Sequence, residues 1–210
     1  MKLTYLPSRL GFHFLFNRHR IINTNFSQRF SKDGDIQGKA RYMGWSSKDR
    51  LEIESIASDL ANFILKPLSA ENLKSLEEWG IDPENAQHKH EILLLSFFAF
   101  RMSLDDSKKW TNPLLFRIEQ QLKSIYVDIL KYGTSSQFET ALVHRTKEYD
   151  MIFNGQTDIE YKIQRIGTRF ASKIESQDAA LMYWASRSFV EWNNAYINYM
   201  VSMNEKFNLV

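Results

Sequence analysis

The clearest pattern in the chain is the recurrence of apolar residues at spacings of three and four from Ser46 onward. Such spacing is typical of helices that bury one face. We predict a first helix that begins at Ser46 or Ser47, which are both good N-cap residues, and that ends before Pro67. Its buried stripe is Ile53, Ile56, Leu60, Phe63 and Ile64.

Two further helices follow in the first half of the chain. Ser69 is expected to cap a short second helix, and Gly80 to end it in a left-handed conformation. Asp82 and Pro83 form a typical start for a third helix, because proline loses no hydrogen bond in the first turn. This helix is predicted to continue to about Leu104.

Four more helices are predicted in the second half. The fourth starts at Asn112 and Pro113 and stops at Gly133, and the fifth is capped by Ser135 or Ser136. The fifth ends at Gly155, the sixth is capped by Asp158, and the seventh runs from about residue 179 to about Glu205.

The seventh helix is apolar around most of its circumference, which favours a central position in the fold. We expect three of its aromatic side chains to be largely buried, namely Trp184, Trp192 and Tyr196. Its polar residues occupy one narrow stripe of Arg187, Glu191, Asn194, Asn198, Ser202 and Glu205.

Together these patterns predict an all-α fold, a mixed bundle of about six or seven helices with an irregular basic N-terminal arm. The helical domain covers residues 46–210, and the arm covers residues 1–45, where no helical period is sustained. We expect the aromatic-rich arm to pack on the helical body. The run Ile92–Phe100 is far shorter than the roughly 20 residues needed to cross a bilayer, so it indicates a buried core helix and no transmembrane segment.

The 210-residue chain contains no cysteine. This excludes disulfide frameworks, thiolate ligation of zinc or iron–sulfur clusters, and cysteine nucleophiles. No phosphate-binding glycine loop, nucleophile elbow or His-Glu-x-x-His motif is present either. We therefore predict no cofactor, no metal and no catalytic residue, and we expect a cytoplasmic protein.

Charge is distributed unevenly along the chain. Residues 1–32 contain six Lys and Arg and no acidic residue, whereas the remaining 21 Lys and Arg face 25 Asp and Glu. Arg18, Arg20 and the neighbouring aromatic residues of the arm suit single-stranded nucleic acid or an anionic membrane surface. They also suit an organellar targeting segment, which would place the protein in an organelle.

Two groups of histidine and carboxylate residues are weak candidates for chemistry. Glu84, His88 and Glu91 share one face of the third helix, with His90 nearby, and the ordinary interpretation is a hydrated helical turn. In the fifth helix, His144 precedes Glu148 by one turn, which is common on solvated surfaces.

The sixth helix carries the more coherent pattern. Lys162, Arg165, Arg169 and Lys173 lie within about 80° of one another on a helical wheel, beside the apolar stripe. Such an edge can bind phosphates or an acidic protein surface. The ordinary alternative is that the aliphatic stems cover the core while the charged groups stay in water.

The function expected from the sequence is that of a non-enzymatic binding protein, similar in kind to immunity proteins, inhibitors or assembly factors. It would engage an acidic protein partner through the four cations of the sixth helix, together with Arg18 and Arg20. The first alternative is a nucleic-acid-binding accessory protein that uses the basic arm and the sixth helix. The third function considered is that of a helical-bundle enzyme.

Overall fold

A computed structural model describes residues 47–104, 111–128, 133–154 and 158–207. Within these ranges the chain is mostly helical and contains no strand. The elements are α1 (Ser47–Leu65), a 3₁₀ turn (Lys66–Leu68), α2 (Ala70–Ser75), a second 3₁₀ turn (Glu77–Trp79), α3 (Ala86–Ser103), α4 (Thr111–Asp128), α5 (Ser135–Phe153), α6 (Ile159–Lys173) and α7 (Ala179–Phe207). The predicted all-α fold is confirmed, with six long helices and one short helix in the described ranges. The arm predicted over residues 1–45 lies outside them.

Several helix boundaries follow the predicted capping residues. Ser69 accepts a hydrogen bond from the backbone of Asn72 at the start of α2, and Asp158 accepts one from the backbone of Glu160 at the start of α6. Gly80 has the predicted left-handed conformation, with a φ of 79°, but it ends the second 3₁₀ turn, whereas the predicted second helix itself ends at Ser75.

Three predicted helix starts were wrong. The chain is already helical at Thr111, so Asn112 lies inside α4 and does not cap it. The α3 helix begins at Ala86, because the side chain of Asn85 caps the backbone N–H groups of Gln87 and His88. Asp82 instead accepts a hydrogen bond from the backbone of Glu84, in a turn that precedes the helix. The α5 helix is capped by Thr134, which forms a reciprocal capping box with Gln137 and displaces the predicted serine caps.

The helix that is buried all round is α3, not the last helix as predicted. Every residue from His90 to Arg101 is buried, and α3 packs against α1, α5, α6 and α7. The α7 helix packs mainly on α6 and α3 and keeps the predicted polar stripe exposed from Arg187 to Ser202. Of its three aromatic residues expected in the core, Tyr196 is buried, whereas Trp184 and Trp192 are half-buried against the core.

A glycine lets α6 and α7 approach closely. A Cβ atom added at Gly167 would lie 2.0 Å from the carbonyl oxygen of Met182 and 2.2 Å from Oγ of Ser186. Ser186 itself donates towards the carbonyl oxygens of Ile163 and Met182, at 3.0 and 2.9 Å. This contact sets the short distance between α6 and α7. In this position the cationic edge of α6 faces α5.

Candidate functional site

The four cations of α6 do not form an uninterrupted positive edge. Lys162 Nζ donates to the carbonyl oxygen of Phe153 at 2.6 Å, at the end of α5. Arg165 is exposed, and its guanidinium carbon lies 5.9 Å from the centre of the Tyr161 ring. Among the four cations, Arg165 is therefore the one whose charged group stays in water, as the ordinary alternative expected.

The two remaining cations of α6 bind a carboxylate on the neighbouring helix. Arg169 donates to Glu148 Oε1 of α5, and Lys173 Nζ lies 3.4 Å from the same oxygen. The other carboxylate oxygen of Glu148 accepts from Arg145, one turn earlier on α5. Glu148 thus receives three cations on a side chain that is only 10% exposed, and the expectation that it lies on a solvated face was wrong.

Arg145 connects this surface group to the centre of the bundle. It donates to both oxygens of Glu91 on α3, from Nε to Oε2 at 3.0 Å and from Nη2 to Oε1 at 2.6 Å. Both side chains are almost fully buried, so the expected hydrated turn around Glu91 was also wrong. The ion-pair cluster, defined as Glu91, Arg145, Glu148, Arg169 and Lys173, runs from the core to the surface.

Helix geometry places these charges opposite one another. Arg145 and Glu148 are three residues apart on α5, and Arg169 and Lys173 are four apart on α6, so each pair shares a helix face. Gln87 Nε2 donates to the carbonyl oxygen of Lys173 at 2.6 Å, which ties the end of α6 to the start of α3. Three helices therefore hold the cluster in place.

The surroundings shift the pKa values of the cluster in opposite directions. Burial raises the pKa of Glu91, and its bonds to Arg145 offset this only in part. Burial also acts to raise the pKa of Glu148, but the hydrogen bonds and charges of Arg169 and Arg145 outweigh it and lower the pKa to about 2. Glu148 is thus held firmly in its ionised form.

Two buried groups beside the cluster remain neutral. Burial is the main cause that lowers the pKa of His90 to about 4, and the positive charge of Arg145 is the second. Burial and the Glu91 carboxylate raise the pKa of Tyr149 well above its ordinary value. The hydroxyl of Tyr149 has no hydrogen-bond partner within the described part of the chain.

The remaining histidine candidates do not come together. His88 Nδ1 accepts a hydrogen bond from the backbone of Asp82 at 2.9 Å, which is a structural contact at the start of α3. Glu84 is exposed in the preceding turn, away from the buried Glu91. His144 is exposed, with Nδ1 3.6 Å from Glu148 Oε1. Over the described ranges no group of three or more His, Asp or Glu side chains could hold a metal ion.

Helical periodicity places the α6 cations on one edge, but it does not predict that Glu148 binds Arg169 and Lys173 or that Arg145 joins Glu148 to Glu91. The available signal was weak. Arg145 and Glu148 have the spacing of an intrahelical ion pair, and Glu91 directly precedes the apolar run of α3. The other predicted binding residues, Arg18 and Arg20, lie outside the described residues.

Comparisons with protein-family models, with curated proteins and with solved structures each give no match for this chain. No helix in the described ranges is long and apolar enough to cross a membrane. The chemistry of the site therefore rests on its own geometry. With both carboxylates ionised, the ion-pair cluster contains three positive and two negative charges, an arrangement that suits the binding of one further anion.

Proposed function

We propose that this protein is a non-enzymatic binding protein that engages an acidic protein partner along the outer edge of α6. The observation that carries the proposal is the excess of cations at this edge. At the edge itself, Arg169 and Lys173 face the single carboxylate of Glu148, and Arg165 adds an exposed positive charge one turn before Arg169. Such an excess attracts an acidic surface and speeds its association.

The exposure of the charged groups supports this function. The side chain of Arg169 is 40% exposed and that of Lys173 is 26% exposed, so a partner can reach both without unfolding the bundle. Arginine guanidinium groups bind carboxylates through paired hydrogen bonds, as Arg145 does with Glu91. The edge is therefore chemically suited to acidic side chains.

The proposal is tested by charge reversal at Arg165, because this exposed residue contributes little to stability. Partners captured from a lysate by the full chain are quantified for the wild type, Arg165→Glu and Lys74→Glu. Lys74 is an exposed cation of α2, so its reversal changes the net charge equally at a distant position. We expect Arg165→Glu to lose the captured protein and Lys74→Glu to retain it.

Two results would contradict this function. Replacement of His88 and His144 by Gln is expected to leave capture unchanged; if it abolishes a measurable activity while Arg165→Glu has no effect, a catalytic role must replace the binding role. A steep decrease of affinity for single-stranded nucleic acid with salt, dependent on Arg165, would instead favour the nucleic-acid alternative.

A further inference from the structure

Glu148 occupies the cations of α6 in the way that a partner's carboxylate would. Its Oε1 atom alone takes the contacts from Arg169 and Lys173, while its Oε2 atom is held by Arg145. The Oε2 atom therefore binds towards the core, and the Oε1 atom binds towards the exposed edge. Another carboxylate can replace Oε1 at Arg169 and Lys173 without breaking the contact of Oε2 with Arg145.

Charge balance shows how many carboxylates the cluster can accept. Arg145, Arg169 and Lys173 provide three positive charges, and Glu91 and Glu148 provide two negative charges. One added carboxylate neutralises the remaining charge. Glu148 would stay paired with Arg145, which is itself held by the two hydrogen bonds to Glu91, so no buried charge would lose its partner.

The spacing of the exposed cations indicates the form of the ligand. Arg165, Arg169 and Lys173 follow one another every four residues, which is about 6 Å along a helix axis. In an extended chain, side chains on one face repeat every two residues, or about 6.6 Å. Two acidic residues at alternate positions of an extended segment therefore match the spacing of Arg165 and Arg169. Lys173 can share the carboxylate bound to Arg169, as it now shares Glu148 Oε1.

We infer that the outer edge of α6 is a docking site for an extended acidic segment of the partner protein. One carboxylate of that segment takes over Arg169 and Lys173 from Glu148, and a second carboxylate binds Arg165. The inference rests on the proposed function. It specifies the chemistry of the ligand and names Glu148 as the internal carboxylate that competes with it. A short acidic segment fits better than a long polyanion, because Asp158 and Glu160 lie at the N-terminal end of the same helix.

The test uses the full chain and a fluorescein-labelled peptide in which Glu and Ser alternate, with binding measured by anisotropy at low salt. Glu148→Gln is expected to tighten binding roughly threefold to fivefold, because it removes the competing carboxylate. Glu191→Gln is the matched control: it removes the same charge from an exposed ion pair with Arg187 on α7. The control is expected to change binding less than about twofold.

A second pair of variants keeps the test valid if Glu148→Gln lowers stability. Replacing Arg169 and Lys173 together by Gln leaves Glu148 paired with Arg145 and removes the contacts that the ligand requires. This double variant is expected to lose peptide binding, whereas Lys66→Gln with Lys74→Gln, two exposed cations elsewhere, is expected to retain it. A peptide in which Gln replaces Glu should not bind the wild type.

The outcomes separate this inference from the proposed function. Equal affinities of Glu148→Gln and Glu191→Gln overturn the competition by Glu148, and the proposed function stands if capture of the partner still depends on Arg165. Absence of peptide binding in both the wild type and Glu148→Gln overturns the ligand chemistry. If capture is also independent of Arg165, the proposed function fails as well. A gain in Glu148→Gln seen with a single-stranded oligonucleotide but not with the peptide overturns both.

Discussion

Arg145 of α5 donates two hydrogen bonds to the carboxylate of Glu91 of α3, at 3.0 and 2.6 Å, and the two side chains are only 8% and 5% exposed. Removing either ion from water costs several kcal/mol, which only close and well-oriented contacts can offset. Because these opposing contributions largely offset each other, we expect the pair to align α5 on α3 more than to add net stability. It also anchors Glu148, through Arg145, beside the cations of α6.

Breaking this pair from one side should be strongly destabilising. Arg145→Met leaves the Glu91 carboxylate buried without its partner, and we expect the free energy of unfolding to fall by about 3 to 5 kcal/mol in urea denaturation. The double variant Glu91→Leu with Arg145→Met should recover most of this loss. Arg187→Met, which breaks an exposed pair on α7, should cost less than about 1 kcal/mol. Equal losses at Arg145 and Arg187 would contradict the buried role of Arg145.

His90 should make stability depend on pH. Because its pKa falls from 6.5 to about 4 on folding, the unfolded chain binds the proton more readily, and stability is lost as pH decreases through this interval. The loss attributable to His90 is up to about 3 kcal/mol. We expect the difference in unfolding free energy between the wild type and His90→Gln to change over this interval and to be constant above it. A constant difference down to pH 4 would show that His90 titrates normally in the folded state.

A side chain at Gly167 should separate α6 from α7. The Cβ of Gly167→Ala would meet the backbone carbonyl oxygen of Met182, which cannot rotate away, and we expect a loss of about 1 to 3 kcal/mol or more. Thr168→Ala, at the adjacent exposed position, should change stability by no more than about 0.5 kcal/mol. Thermal or urea denaturation measures both. A neutral Gly167→Ala would mean that the helices can move apart without loss.

The hydroxyl of Tyr196 should contribute to the core through hydrogen bonding. It lies 2.7 Å from Oγ of Ser96, which donates to the carbonyl oxygen of Ile64 at 2.9 Å, so these groups connect α7, α3 and α1. Tyr196→Phe leaves the buried Ser96 with one contact fewer and is expected to cost about 1 to 2 kcal/mol. Tyr183→Phe, on the exposed face of α7, should change stability by less than about 0.5 kcal/mol. Similar small effects at both positions would show that the Ser96–Tyr196 hydrogen bond contributes little to stability.

Local signals predicted the helices well where one residue type has one clear role. Asp158 caps its helix as predicted, and Gly80 has the predicted left-handed conformation although α2 itself ends at Ser75. Both features depend on few neighbouring residues. The start of α3 was wrong because Asp82 and Asn85 are both suitable caps. Asn85 is the cap in the structure, and the turn before it is held by the hydrogen bond from the backbone of Asp82 to His88 Nδ1.

Which helix is most deeply buried was harder to predict from the sequence. The apolar circumference of α7 suggested a central helix, but tryptophan and tyrosine cover apolar surface while part of the ring stays in contact with water. Trp184 and Trp192 are half-buried in this way. By contrast, α3 includes the charged residues Glu91 and Arg101 and is nevertheless buried from His90 to Arg101.

The sequence by itself determined the all-α class, several helix boundaries and the alignment of Lys162, Arg165, Arg169 and Lys173 on one edge of α6, since all of these depend on contacts within a few residues. Only the tertiary structure decided where those charges are directed. The partner of Arg169 is 21 residues away in sequence, and that of Arg145 is 54 residues away. Electrostatic pairing at such separations depends on the distance between helices in the folded bundle, and helical periodicity carries no information about that distance.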